Sequence, residues 1–148
     1  MTRLHFEITI AAPRTAVWDA MLSDATYREW TAAFMPDSYY VGDWSEGSRI
    51  LVLGPGPEGE SGMVSRVLTN RLQEQIVLEH VGVVEKGQED TTSDAVKPWA
   101  GARESYTLQD VDGGTRVLVT MDTTDEYREM FETSWPDALR RLRELVEG

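Results

Sequence analysis

At 148 residues the chain is long enough for one domain that buries roughly 70% of the surface its unfolded form exposes, and its 41% hydrophobic and 27% charged residues are ordinary globular usage rather than the composition of a disordered chain. Lys and Arg number 14 against 26 Asp and Glu, and the resulting net charge of −12 repels the phosphate backbone of a nucleic acid. The lack of cysteine excludes a disulfide framework and a thiolate nucleophile. Met1-Thr2-Arg3-Leu4-His5 is not the start of a secretory signal and no apolar run approaches membrane-spanning length, so a single cytoplasmic domain over residues 1–148 is expected, without membrane insertion.

Leu4 to Ile10 alternates, with Phe6, Ile8 and Ile10 on one face and His5, Glu7 and Thr9 on the other, the pattern of a half-buried strand. Pro13 suits the start of a helix whose apolar positions are Ala16, Val17, Ala20 and Met21, flanked by Trp18. Asp24 is placed to cap a second short helix containing Tyr27, Trp30 and Thr31, which should end before Pro36. Strands are expected over Tyr39–Val41 and Arg49–Leu53, then a loop at Gly54-Pro55-Gly56-Pro57-Glu58-Gly59, then strands over Gly62–Thr69 and Gln75–Val84. From Glu85 to Lys97 periodicity is lost, which predicts a long loop with at most a helical turn near Ser93–Lys97. Trp99-Ala100-Gly101-Ala102 leads into a strand through Leu108, and Asp112-Gly113-Gly114 is a hairpin signal before a last strand over Thr115–Thr123.

The chain closes on a long amphipathic helix, Thr124 to Gly148. Met130, Phe131, Trp135, Leu139, Leu142 and Val146 recur at three- and four-residue steps, with Arg140, Arg141, Arg143 and Glu144 opposite. Pro136 inside this pattern predicts a kink or short interruption at Thr133–Trp135. One helix carrying that much bulk needs a curved sheet to close over it, and a space between the two is where function would sit.

Several strings give the order of elements a relationship. Ala12-Pro13-Arg14-Thr15-Ala16-Val17-Trp18, Tyr27-Arg28-Glu29-Trp30, Asp43-Trp44-Ser45-Glu46-Gly47-Ser48, Trp99-Ala100-Gly101-Ala102 with Tyr106-Thr107-Leu108, Gly114-Thr115-Arg116 and Trp135-Pro136-Asp137-Ala138-Leu139 span nearly the whole chain. Together they resemble the SRPBCC, START-like or helix-grip superfamily, and within it the branch related to the activator of the ninety-kilodalton heat-shock chaperone's ATPase. The resemblance implies an α+β fold: an antiparallel sheet of six to seven strands wrapped around the C-terminal helix, two short helices after the first strand, and a cavity that in relatives holds apolar molecules. Relatives include lipid carriers, hormone binders, polyketide cyclases and co-chaperone domains, and a fold alone does not choose among them.

Two groups of residues are candidates for chemistry. Trp30, Phe34, Met35, Tyr39, Trp44, Leu78, Trp99, Tyr106, Met121, Met130, Phe131 and Trp135 could line a cavity for a flat or greasy ligand, bound by burial of apolar area with Met adapting to its shape, although most such residues in any domain are core. Strand parity supplies the second group. Ile76, Leu78 and His80 share a face, as do Glu104, Tyr106 and Leu108, so His80 and Glu104 both point inward if their apolar neighbours do. A His and a Glu in an apolar chamber could orient a ligand or exchange a proton with it.

Other chemistries find little support. His5 and His80 are the only histidines and no spaced ligand set is present, so neither a metal nor another cofactor is expected. Glu85, Glu89, Asp90 and Asp94 lack the alternating donors of a calcium loop, and the Gly-Pro-rich segment lacks the Lys and following helix of a phosphate loop. Ser61 and Ser65 sit in no nucleophile elbow, and nothing in the sequence pairs them with a His or Asp. The expected function is binding of a small hydrophobic molecule; the alternatives are a cofactor-free cyclase, dehydratase or hydrolase, and an interaction module with a chaperone or, through an exposed edge strand, a homodimer.

Overall fold

The structure, a computed structural model, describes residues 1–148. The elements follow in the order β1 (Thr2–Ile10), α1 (Arg14–Leu22), α2 (Asp24–Thr31), β2 (Tyr39–Val41), β3 (Arg49–Gly56), β4 (Gly59–Arg71), β5 (Gln75–Glu85), β6 (Gln88–Asp90), β7 (Arg103–Val111), β8 (Gly114–Thr123) and α3 (Asp125–Glu147). They form one curved antiparallel sheet of eight strands in the order β1-β8-β7-β5-β4-β3-β2, with β6 paired to β5 beyond the end of β7. No helix is long and apolar enough to cross a membrane.

Alternation along the strands decides which side faces α3. Ile10, Val117, Val119, Met121, Leu108, Tyr106, Ile76, Leu78, Val67 and Ile50 are buried on the concave face, and the same cluster takes in Trp135, Ala138, Leu139 and Leu142 of α3. Trp18 and Met21 of α1 and Tyr27 and Trp30 of α2 close one end of it. Pro13 has extended backbone and precedes α1, while Ser23 ends α1 and starts α2. Asp24 is therefore not the cap of α2 but its first residue, where its charge favours the helix N-terminus and accepts from Arg28 one turn on at 3.1 Å.

Three further local expectations need correction. Gly54-Pro55-Gly56 is not a loop: these residues extend β3 and pair with Ser61, Glu60 and Gly59, leaving only Pro57-Glu58 as the turn. Beyond Leu53 the far side of β3 has no partner, because β2 stops there, and an unpaired strand edge tolerates a residue that lacks an N–H. The segment after β5 is not all loop either, since Gln88–Asp90 pairs with Val83–Glu85. Gly82 permits this, because a side chain there would run into the carbonyl of Asp90 and into Thr91. Finally, α3 runs unbroken through Pro136. Pro136 and Glu132, whose carbonyl loses its helical donor, both lie on the exposed side, where water serves that oxygen.

The β4–β5 hairpin carries two irregularities that cancel. Near its turn Asn70 pairs with Ile76 and Thr69 with Val77; Leu68 is then an extra residue on β4, and Val67, Arg66 and Ser65 pair with Leu78, Glu79 and His80. Val81 is an extra residue on β5, after which Val64 meets Gly82 and the first register resumes. Such bulges bend a strand and re-aim its side chains. Without them the hairpin would set Ser65 opposite Val81 instead of His80.

Candidate functional site

The concave face changes character along α3. In the C-terminal half the contact is solid: Trp135 is 2% exposed, stacks on Phe6 at a centroid distance of 6.0 Å, lies 4.8 Å from Phe34 edge-on, and donates its indole N–H to the Met121 sulfur at 2.9 Å. Trp30, equally buried, lies 5.9 Å from Trp135 and donates to the Met21 carbonyl. In the N-terminal half, Met130 is 46% and Tyr127 39% exposed, and Phe131 is half-buried against Phe34. The sheet below shows the same change. Val52, Met63 and Val83 pair in one row on the side of Ile50, yet they are half-buried and lie outside the main apolar cluster. α3 thus covers the concave face more closely along its C-terminal half than along its N-terminal half.

Polar groups stand where the solid part meets the open one. Glu104 pairs with Leu78 on one side and Met121 on the other, and His80 lies two residues along β5 from Leu78, so the two occupy diagonal positions on the concave face, roughly 7–8 Å apart. Tyr106 donates its hydroxyl to Glu104 Oε2 at 2.6 Å. Behind them Ser65, fully buried, hydrogen-bonds His80 Nδ1 at 2.7 Å, with the direction set by the imidazole tautomer. The backbone of His80 is fixed on its far side, its N–H donating to Ala102 and its carbonyl accepting from Gly101.

Burial governs the electrostatics here. It holds the His80 imidazole below its ordinary value, against smaller upward pulls from Glu104 and Asp122, so the ring is neutral. It also pushes the Tyr106 phenol well above its usual range, with Glu104 adding to the effect, and it raises Tyr27 in the same way. His80 Nε2 and Glu104 Oε1 take no protein hydrogen bond, while Thr124 Oγ1 is the sole sealed side-chain atom left without a partner. Neither of these two atoms is sealed from solvent. Chemically, the site offers a carboxylate oxygen and a neutral imidazole nitrogen at the edge of an aromatic wall.

The sequence candidates divide accordingly. Trp30, Leu78, Tyr106, Met121 and Trp135 are sealed in the core. Phe34, Met35 and Phe131 are only partly covered and Met130 is exposed, Met35 lying over Gly54 of β3. Trp99 packs its ring 5.6 Å from Tyr127 on the first turn of α3. Trp44 is elsewhere: it donates to the Leu22 carbonyl at 3.1 Å and packs on Tyr40 and Tyr27 at the α1–α2 end. Tyr39 donates to Glu60 on the strand edge. Ser65, which sequence reasoning left without a partner, is the residue it missed, because its pairing with His80 depends on the register shift in β4–β5.

Outside this face two surface depressions are occupied by their own ion pairs. One holds Arg14, which reaches Asp110 at 2.9 Å and the Gln73 carbonyl at 3.1 Å; the other holds Arg3 with Asp122 at 2.8 Å. No group of three or more His, Asp or Glu side chains is placed to hold a metal ion.

Comparison with known proteins agrees with this architecture. Residues 11–147 match the family described as activator of Hsp90 ATPase homolog 1-like protein. A protein from Rhodobacter sphaeroides superimposes with a TM-score of 0.72 at 23% identity, over 99% of this chain and 92% of its own. The AHSA1-like protein from Aeromonas hydrophila gives 0.72 at 17% identity, over 99% and 92%. The Aha1 dimer from Colwellia psychrerythraea gives 0.71 at 19% identity, over 99% and 97%. No curated protein sequence matches significantly. With a helix-grip fold throughout and a family match over residues 11–147, the chain belongs to the activator of Hsp90 ATPase homolog 1-like family of the SRPBCC superfamily.

Proposed function

We propose that the protein binds a small, largely apolar molecule in the cleft between the N-terminal half of α3 and the β3–β5 part of the sheet. The observation that carries this reading is the half-buried apolar row Val52, Met63 and Val83, facing inward yet covered by no core side chain. Apolar surface of this kind gains about 25 cal/mol for each Å² withdrawn from water, and Phe34, Phe131 and Met35 supply an adaptable rim. Trp135 and Trp30 form the end wall of the cleft rather than its lining. A thermal-shift screen against alkyl, aromatic and polyketide-like compounds is expected to find stabilising ligands whose NMR shift perturbations cluster on Val52, Met63, Val83 and Phe131. Perturbations confined to the convex face would refute the reading.

One observation favours a second reading. The Ser65–His80 hydrogen bond fixes the imidazole and leaves Nε2 without a protein partner on the same sheet face as Glu104, the arrangement an acid/base pair requires. On this reading the same cleft hosts a cofactor-free cyclisation, dehydration or hydrolysis. His80 and Glu104 would move the protons, and Ser65 would hold the ring. Any turnover found with a ligand from the screen should fall by about a hundredfold or more in His80→Ala, and an unchanged rate would remove the enzymatic reading while leaving binding intact.

A further inference from the structure

The site described above places one ionisable carboxyl group at the edge of the cleft with one oxygen committed and one free. Glu104 Oε2 is held by the Tyr106 hydroxyl at 2.6 Å, which fixes the orientation of the group, and Oε1 has no protein donor. Although it stands on the concave face between β5 and β8, Glu104 is only partly buried, so the open space reaches it. Around it stand Leu78, Met121 and Tyr106, all sealed, and no Lys or Arg side chain makes an ion pair or hydrogen bond with it. A lone acceptor of this kind, held in place beside apolar walls, is satisfied by a donor arriving with the ligand and is repelled by a second carboxylate. His80 Nε2, neutral and free on the adjoining diagonal, completes the polar end of the cleft without adding a positive charge.

We propose, on the strength of the binding reading above, that Glu104 selects the head group of the ligand: an apolar body ending in a hydrogen-bond donor, a hydroxyl or protonated amine, with carboxylates such as fatty acids excluded. The selectivity resides in the fixed free oxygen, and the apolar body is read by the rim, so head and tail contribute separately.

Matched compounds separate the two contributions. Octanol, octylamine and octanoate share one tail; 2-naphthol, 2-naphthylmethylamine and 2-naphthoate share another. In titrations monitored by calorimetry and tryptophan fluorescence, the hydroxyl and amine members of at least one set are expected to bind about tenfold or more tighter than the carboxylate. Glu104→Gln keeps an acceptor for Tyr106 and moves the net charge only from −12 to −11 (14 minus 25), so the general field of the protein persists; in this variant the carboxylate should gain and the preference should vanish. Tyr106→Phe, which keeps the carboxylate but releases its orientation, should narrow the preference without reversing it. Equal affinity across both sets in the wild type, or a preference unaltered in Glu104→Gln, overturns the proposal while leaving ligand binding in place. Failure of every compound to bind removes the binding reading and the selectivity with it.

Discussion

The two halves of α3 share a spacing of bulky residues and meet different fates in the fold. Both carry bulky residues at helical spacing, yet Trp135, Ala138, Leu139 and Leu142 are sealed against the sheet, whereas Tyr127 and Met130 meet solvent and Phe131 is only half covered. The difference arises below the helix. In the C-terminal half Trp135 packs on Phe6 of β1, Tyr106 of β7 and Met121 of β8, with α1 and α2 filling the end, whereas in the N-terminal half Phe131 packs on Phe34 and Tyr127 on Trp99. A hydrophobic stripe thus reports what a helix is able to bury. What it does bury depends on whether the opposing surface rises to meet it, and here the sheet meets only half.

The sharpest way to break this comparison is to truncate one residue from each half. Trp135→Ala removes a ring that touches Phe6, Phe34, Trp30 and Tyr106, and it should cost about 3–5 kcal/mol of unfolding free energy in urea. Met130→Ala should stay within about 0.5 kcal/mol of the wild type. Comparable losses in the two variants would show that the open half is packed after all.

Smaller effects test the polar boundary between the halves. Ser65→Ala leaves His80 Nδ1 without its partner in a sealed position and should cost about 1–3 kcal/mol. A pH series then reads the imidazole itself. Because burial lowers the folded-state value of His80 below the ordinary one of about 6.5, its stabilisation is fully present above that pH and is lost as the pH falls toward the folded value. Urea stability should therefore decline from pH 7 to pH 5 in the wild type and decline less in His80→Asn, which keeps a hydrogen-bonding group near the Nδ1 position. The depressed carboxylates Asp43, Asp90 and Asp122 titrate below their ordinary range and leave this window clear. Parallel declines in the two proteins would place the acid sensitivity elsewhere.

Much of the architecture was legible because it rests on periodicity. Alternation in β1, β5, β7 and β8, the Asp112-Gly113-Gly114 hairpin and the three- and four-residue steps of α3 are local patterns, and the structure contains the elements they imply. Alternation also suffices to put His80 and Glu104 on one face, since β5 keeps its parity as far as His80. What escaped the sequence depends on neighbours. Gly54-Pro55-Gly56 has the composition of a loop and is strand because β4 pairs with it. Pro136 signals a break, yet the helix continues because the carbonyl it deprives faces water. Trp44 and Trp99 look equally suited to a cavity from composition; one is tied to the Leu22 carbonyl and the other to Tyr127. Ser65 was out of reach, because the register set by the turn between Arg71 and Gln75 would pair it with Val81, and only the two extra residues bring it to His80.

Those two extra residues, Leu68 and Val81, lie on opposite strands, so the dislocation they create is confined to three rungs of the ladder and heals at both ends. Excising either one alone would carry the slip onward, into the turn after Arg71 or into the partners of β3. Excising both would leave every surviving rung with its present partner and simply straighten the ribbon. Curvature and partnership are therefore separable properties of this hairpin, and the paired deletion offers a handle for reshaping the cleft while Ser65 and His80 stay joined.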